Sequence, residues 1–221
     1  INCIVTHEFS KKSSYDEIIK KNINCLKNIL ELSKNKKTIL INLSSVAVYG
    51  EFTTKTIDEN SNFKNQEILG LTKLISEKYF TINKKELINL RLPGVMTKSS
   101  EIRRPWLKKI INDIKNSKNL IIFNKNEKFN GIITPKNIYN FCDFLLNKKK
   151  INFGTYLFAA RNPIKIFEII NLIIKHYNSK SEIKYVNSNK ITPVFDTKKI
   201  EKKLLYKNFT TKKIIENYLS S

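Results

Sequence analysis

With 221 residues, 41% of them hydrophobic, the chain can bury the core of one good-sized domain, or of a domain with a smaller lobe, which argues against disorder. No apolar run approaches the roughly 20 residues of a membrane span, and no basic, apolar, small-residue signal pattern opens the chain, so no membrane partner is expected. The net charge of +22 is nearly all lysine spread along the chain, an AT-rich compositional bias lacking the arginine forks that read grooves, so no specific nucleic-acid partner is expected.

Ile1 to Val5 reads as a strand. Ser14 to Leu32 reads as a helix, because Tyr15, Ile18, Ile19, Leu26, Ile29 and Leu30 fall on one face. Thr38 to Leu43 reads as a buried strand, Glu67 to about Ile82 as a second long helix, and Leu87 to Leu92 as a strand ending at Pro93-Gly94. Later helices are signalled by Pro105 before Trp106, by Thr134-Pro135 and by Asn162-Pro163, with shorter strands near Leu120 to Phe123 and Thr155 to Phe158. Such alternation predicts an α/β fold: part of a doubly wound parallel sheet, followed by a looser α/β region. Cys3, Cys25 and Cys142 form no CxxC pair and read as reduced thiols of a cytoplasmic protein; no metal site is expected. The chain opens on Ile1 directly in a strand, and no two of its five glycines fall within a few residues of each other. A Gly-rich phosphate turn is therefore missing, and the chain is expected to be a fragment of a longer one.

Three segments carry a resemblance. Leu43-Ser44-Ser45-Val46-Ala47-Val48-Tyr49-Gly50 looks like the strand-end motif SSxxVYG. Gly70-Leu71-Thr72-Lys73 with Glu77 matches YGxSKxxxE except at its first position, where Leu69 stands. Arg91-Leu92-Pro93-Gly94-Val95 is similar to the strand end that follows. In this order and at compatible spacing they resemble the extended short-chain dehydrogenase/reductase family, the group of nucleotide-sugar epimerases and dehydratases. Asn22 stands where that family's NxxGT motif has an asparagine, and Phe129 to Thr134 with Asn137 is similar to its FNxxVHxxDL segment. Pro163 to Ile166 and Phe195 to Lys199 extend the likeness to the end of the chain.

The resemblance implies a Rossmann-like doubly wound parallel sheet lacking its first strands, with a small C-terminal α/β substrate lobe. Residues 1–95 would be the remainder of the dinucleotide-binding domain and 96–221 mostly the substrate lobe, with a segment near 131–147 returning to the first domain. In the family a tyrosine and a lysine four residues apart share one helix face. The lysine holds the nicotinamide ribose and lowers the tyrosine's pKa, while a serine hydrogen-bonds the reacting oxygen. Ser45 and Lys73 stand at two of these catalytic positions, and Leu69 replaces the tyrosine. By the same resemblance Lys73, Pro93 and Asn22 face the cofactor, NAD or NADP, which these 221 residues without a glycine turn are expected to bind weakly or not at all, and Ser45, Asn130 and Arg103 face a nucleotide-sugar substrate. The likeness leaves room for a homodimer.

Each residue also has a plainer reading. Ser45 could satisfy backbone groups at a strand end, Lys73 could be one more surface lysine, and Asn22 could be a buried structural amide. Arg91 reads as structural or cofactor-side, and Tyr49 as a candidate substitute base. Arg103, Arg104 and Trp106 suit either a diphosphate or a packed helix start, and His7 departs from the family's pattern. The expected function is an NAD-dependent epimerase/dehydratase activity impaired at position 69. Its rival is a non-catalytic relative that binds a sugar nucleotide or a protein.

Overall fold

In the computed structural model, which describes residues 1–2, 15–34, 38–98, 105–189 and 191–220, the amphipathic stretch after Ser14 forms α1 (Tyr15–Leu32). Of the strand expected at the start, Asn2 makes a parallel bridge to Asn42, and the remainder lies outside the described residues. The apolar run that follows is β1 (Leu40–Ser45), which passes into one 3-10 turn, Val46–Tyr49, and a short β2 (Thr56–Ile57). Next come α2 (Ile68–Asn83), β3 (Leu87–Leu92) and β4 (Gly94–Val95). The Pro105 signal starts α3 (Pro105–Lys115), followed by β5 (Leu120–Phe123), β6 (Lys128–Phe129) and β7 (Ile132–Ile133).

Thr134-Pro135 opens α4 (Pro135–Leu146), where the Asn137 side chain accepts from both the backbone N–H and the hydroxyl of Thr134. After β8 (Gly154–Leu157) the expectation at Asn162-Pro163 needs correction. The chain first forms β9 (Ile164–Lys165), antiparallel to β6, and α5 (Ile166–Tyr177) begins only then. Glu168 accepts from the Lys165 N–H at 2.7 Å, so the cap lies three residues later than proline placement suggested. The chain ends with β10 (Ile183–Val186), β11 (Val194–Phe195), α6 (Lys198–Lys203) and α7 (Thr211–Ser220).

The fold is Rossmann-like α/β with a C-terminal lobe, and the chain divides into two compact units. The first comprises Ile1–Phe52, Asp58–Pro93 and Lys149–Phe158. Its strands run parallel in the order β1-β3-β8. Central β3 is buried at all six positions, as a strand in a parallel sheet must be. Leu26 of α1 and Phe80 of α2 close over Leu40 and Leu87 of the sheet. A row of polar side chains crosses this sheet at one register. Asn2 donates to Asn42 (2.9 Å), Asn42 to Asn89 (2.8 Å) and Asn89 to Thr155 (3.2 Å). Because these buried amides pair with one another at the same level of neighbouring strands, a slip between strands would break the row.

The second unit comprises Thr53–Ile57, Gly94–Lys148 and Ala159–Ser221. Its strand pairs are β5 with β10, β4 with β7 and β2 with β11, all parallel, and β6 with β9, antiparallel. Leu107, Ile111 and Ile114 of α3 pack with Ile169, Ile170 and Ile173 of α5 and Ile214 and Ile215 of α7. Each such side chain, fully buried, contributes about 1.5–3 kcal/mol.

Candidate functional site

The C-terminal end of β1 is where the chain's chemistry-bearing residues gather. Alternation along the strand sends Ser44 and Ser45 to opposite faces. Ser44 is buried and donates to Glu77 of α2 at 2.5 Å. Ser45 is half-buried, and its Oγ accepts the Ala47 N–H at 3.1 Å, capping the 3-10 turn. A hydroxyl that accepts in this way keeps its proton to donate.

Helix α2 reaches this strand end because Gly70 lets it. A Cβ built there would stand 2.1 Å from the Ala47 carbonyl oxygen, so no larger residue fits the approach. One turn on, Lys73 is buried and its Nζ donates to the Leu43 carbonyl at 2.7 Å, two residues before Ser45. Leu69 lies half-buried one turn before Lys73. Ser45 and Lys73 are thus brought to one strand end, and each serves the backbone there.

Behind them is a buried ionic network. Arg91 of β3 grips Glu77 through Nε (3.0 and 3.2 Å) and Nη2 (2.8 Å). Its Nη1 donates to the Tyr49 hydroxyl (2.8 Å) and the Glu59 carbonyl (3.0 Å). The guanidinium also lies 5.0 Å from the Tyr49 ring centre and 5.2 Å from that of Phe63. Tyr49 donates in turn to the Asp58 carbonyl at 2.7 Å. Burial pushes its phenol up to about 12, despite the opposing pull of Arg91. A phenol held this way is unsuited to act as a base at neutral pH.

The remaining candidates are scattered. Asn22, buried on α1, donates to the Ile18 carbonyl of its own helix at 2.7 Å. Pro93 is buried directly after β3. Asn130 is 1% exposed in the second unit, donating to the carbonyls of Ala160 and Phe195 (both 2.8 Å) and accepting the Phe195 N–H (2.9 Å). Trp106 packs edge-on against Phe129, ring centres 5.1 Å apart. Arg103, Arg104, His7 and Cys3 lie outside the described residues.

Two features went unread in the sequence. A groove of about 380 Å³ in the second unit is lined by Lys55, Asn124, Asn126, Lys128, Asn187 and Thr192, among others, from three separated segments. The other is the Ser44–Glu77–Arg91–Tyr49 network. Its signal was present in the two apolar strands, where Asn42 and Ser44, and Asn89 and Arg91, interrupt the runs at alternate positions. Among the described residues no cluster of three or more His, Cys, Asp or Glu could hold a metal ion, and no helix is long and apolar enough to cross a membrane.

The model of the NAD dependent epimerase/dehydratase family matches residues 2–150. Among solved structures, the chain is similar to UDP-N-acetylglucosamine 4-epimerase from Bacillus cereus, at 14% identity and a TM-score of 0.74, over 98% of this chain and 76% of that one. The Bordetella bronchiseptica enzyme WbmG in complex with NAD and UDP matches at 15% identity and a TM-score of 0.77, over 99% of this chain and 70% of that one. L-threonine dehydrogenase from Phytophthora infestans matches at 18% identity and a TM-score of 0.73, over 98% and 76%. At these identities the likeness shows the fold. No curated protein matches the chain.

Proposed function

The chain belongs to the NAD dependent epimerase/dehydratase family, and from that membership we propose that it acts on a nucleotide sugar, using NAD or NADP, with its proton-transfer step impaired at position 69. The observation that carries this reading is Leu69 standing one helical turn before buried Lys73, beside the strand end that bears Ser45. The dinucleotide, when bound, takes up and returns a hydride. Lys73 and Ser45 suit its reactive end: an ammonium to orient the ribose and a hydroxyl to hold the reacting oxygen. The five glycines are all isolated, so the sequence carries no Gly-rich turn of the kind that cradles a pyrophosphate.

A second reading has its own support: Tyr49, the phenol of the turn after this strand, is tied to Arg91 and Asp58, and Leu69 has no proton to transfer. A protein so equipped can bind a sugar nucleotide without turning it over. One substitution separates the two readings. In a longer chain that supplies the glycine turn, Leu69→Tyr, assayed with saturating NAD on UDP- and dTDP-sugars, should raise turnover by about 10²–10⁴-fold, and Ser45→Ala in that background should remove most of the gain. A folded variant that binds UDP yet converts no sugar would replace the enzymatic reading by the binding one.

A further inference from the structure

Helix α2 meets the sheet through polar side chains along much of one face. Lys73 donates to the Leu43 carbonyl (2.7 Å), and Ser76 accepts from Asn42 (3.4 Å). Glu77 accepts from Ser44 (2.5 Å) and from Arg91 (2.8 Å at the closest), and Thr81 accepts from Asn89 (3.4 Å). Positions 73, 76, 77 and 81 follow the spacing of one helical stripe. Apolar packing is non-directional, so a helix seated on it can shift by a fraction of a turn at small loss. Hydrogen bonds of fixed length and angle do not tolerate that shift.

Glu77 and Arg91 sit at the centre of the stripe, with side chains 5% and 6% exposed. Stability alone does not account for such a pair. Desolvating two charges offsets most of their attraction, and apolar side chains of similar volume often hold a fold as firmly. What the pair adds is registry. One carboxylate joins β1 through Ser44 and β3 through Arg91 to α2, and the remaining guanidinium nitrogen secures the turn through Tyr49 and the following loop through Glu59.

Resting on the enzymatic reading above, we propose that Glu77 and Arg91 are a positioning pair, which sets the register of α2 on the sheet so that Lys73 and position 69 stand at the strand end bearing Ser45. The pair touches neither substrate nor cofactor; it acts through Lys73 and through the helix.

The test separates registry from stability. Glu77→Gln alone leaves Arg91 buried without its counter-charge and should lower Tm by roughly 10 °C. The double variant Glu77→Leu/Arg91→Met should regain most of that loss. Registry is read on the Lys73 ammonium, whose proton exchange by ¹⁵N NMR is slowed by the bond to the Leu43 carbonyl. In the double variant this exchange should speed up by about 10-fold although Tm has recovered. In a Leu69→Tyr background the same pair of changes should lower kcat by about 10²-fold with KM for the nucleotide sugar little altered. A double variant with recovered Tm and wild-type Lys73 exchange overturns the proposal, because the pair is then structural only. Should the double variant not fold, Ser44→Ala decides. Faster Lys73 exchange supports registry and unchanged exchange overturns it. If Leu69→Tyr is itself inert, the enzymatic reading fails on its own, and the ammonium measurement still decides this one.

Discussion

The phenol of Tyr49 is 1% exposed, donates to the Asp58 carbonyl and accepts from Arg91. Sequence position alone offered it as a replacement for the tyrosine absent at position 69; its environment withdraws it. Because its folded value is pushed up to about 12 from an ordinary value near 10, the unfolded chain loses this proton first. Its contribution to stability is therefore intact below about pH 10 and is lost as pH rises through about 12, a swing on the order of 2 kcal/mol. Tyr206, also raised to about 12 by burial, adds to the same window. Urea unfolding between pH 9 and 12 should show this alkaline decline, and Tyr49→Phe should flatten it while lowering stability at neutral pH. A decline equally steep in Tyr49→Phe would show that the phenol is not held as described. Asn130 makes the same point: its amide, matched by family pattern to a substrate segment, is occupied by Ala160 and Phe195.

At the scale of elements, α2 decides whether a site exists, and Gly70 decides where α2 lies. In an isolated helix Gly→Ala is favourable by about 1 kcal/mol. Here the new methyl would stand 2.1 Å from the Ala47 oxygen. That atom belongs to backbone capped by Ser45 and cannot swing aside. Gly70→Ala should therefore destabilise the protein by about 1–3 kcal/mol by overpacking, measured as a lower urea midpoint at unchanged slope. Stability equal to wild type would mean that helix and turn are not in this contact. The long elements were legible because their signals are local. Local apolar patterning placed α1, α2 and β3 within a residue or two. The start of α5 was not, because β9 is set by pairing with β6 some 36 residues away in the chain, through Lys128↔Lys165 and Phe129↔Ile164.

At the scale of the whole molecule the net charge of +22 dominates any encounter with a polyanion. Lysine charge spread along the chain is expected to give affinity of the counterion-release kind. Duplex DNA should be retained weakly near 50 mM salt, released by about 200 mM, and bound without regard to sequence. Sequence-selective retention at the higher salt in a filter or mobility assay would reopen a nucleic-acid role.

The long strands and helices of the first unit, the three motifs and the leucine at position 69 were determined by sequence alone, because apolar periodicity and motif spacing act over one or two turns of chain, whereas the two-residue strands and the last two helices were not. The fate of the polar residues was not. Whether Lys73 is a surface lysine or a buried donor depends on Leu43, 30 residues away; Arg91 depends on Tyr49, 42 away, and Asn130 on Phe195, 65 away. A buried polar group must find its partner wherever the fold brings one within hydrogen-bonding distance. Only the tertiary structure could therefore show that Lys73 serves the strand end, that Glu77 and Arg91 join α2 to the sheet, and that Tyr49 is occupied.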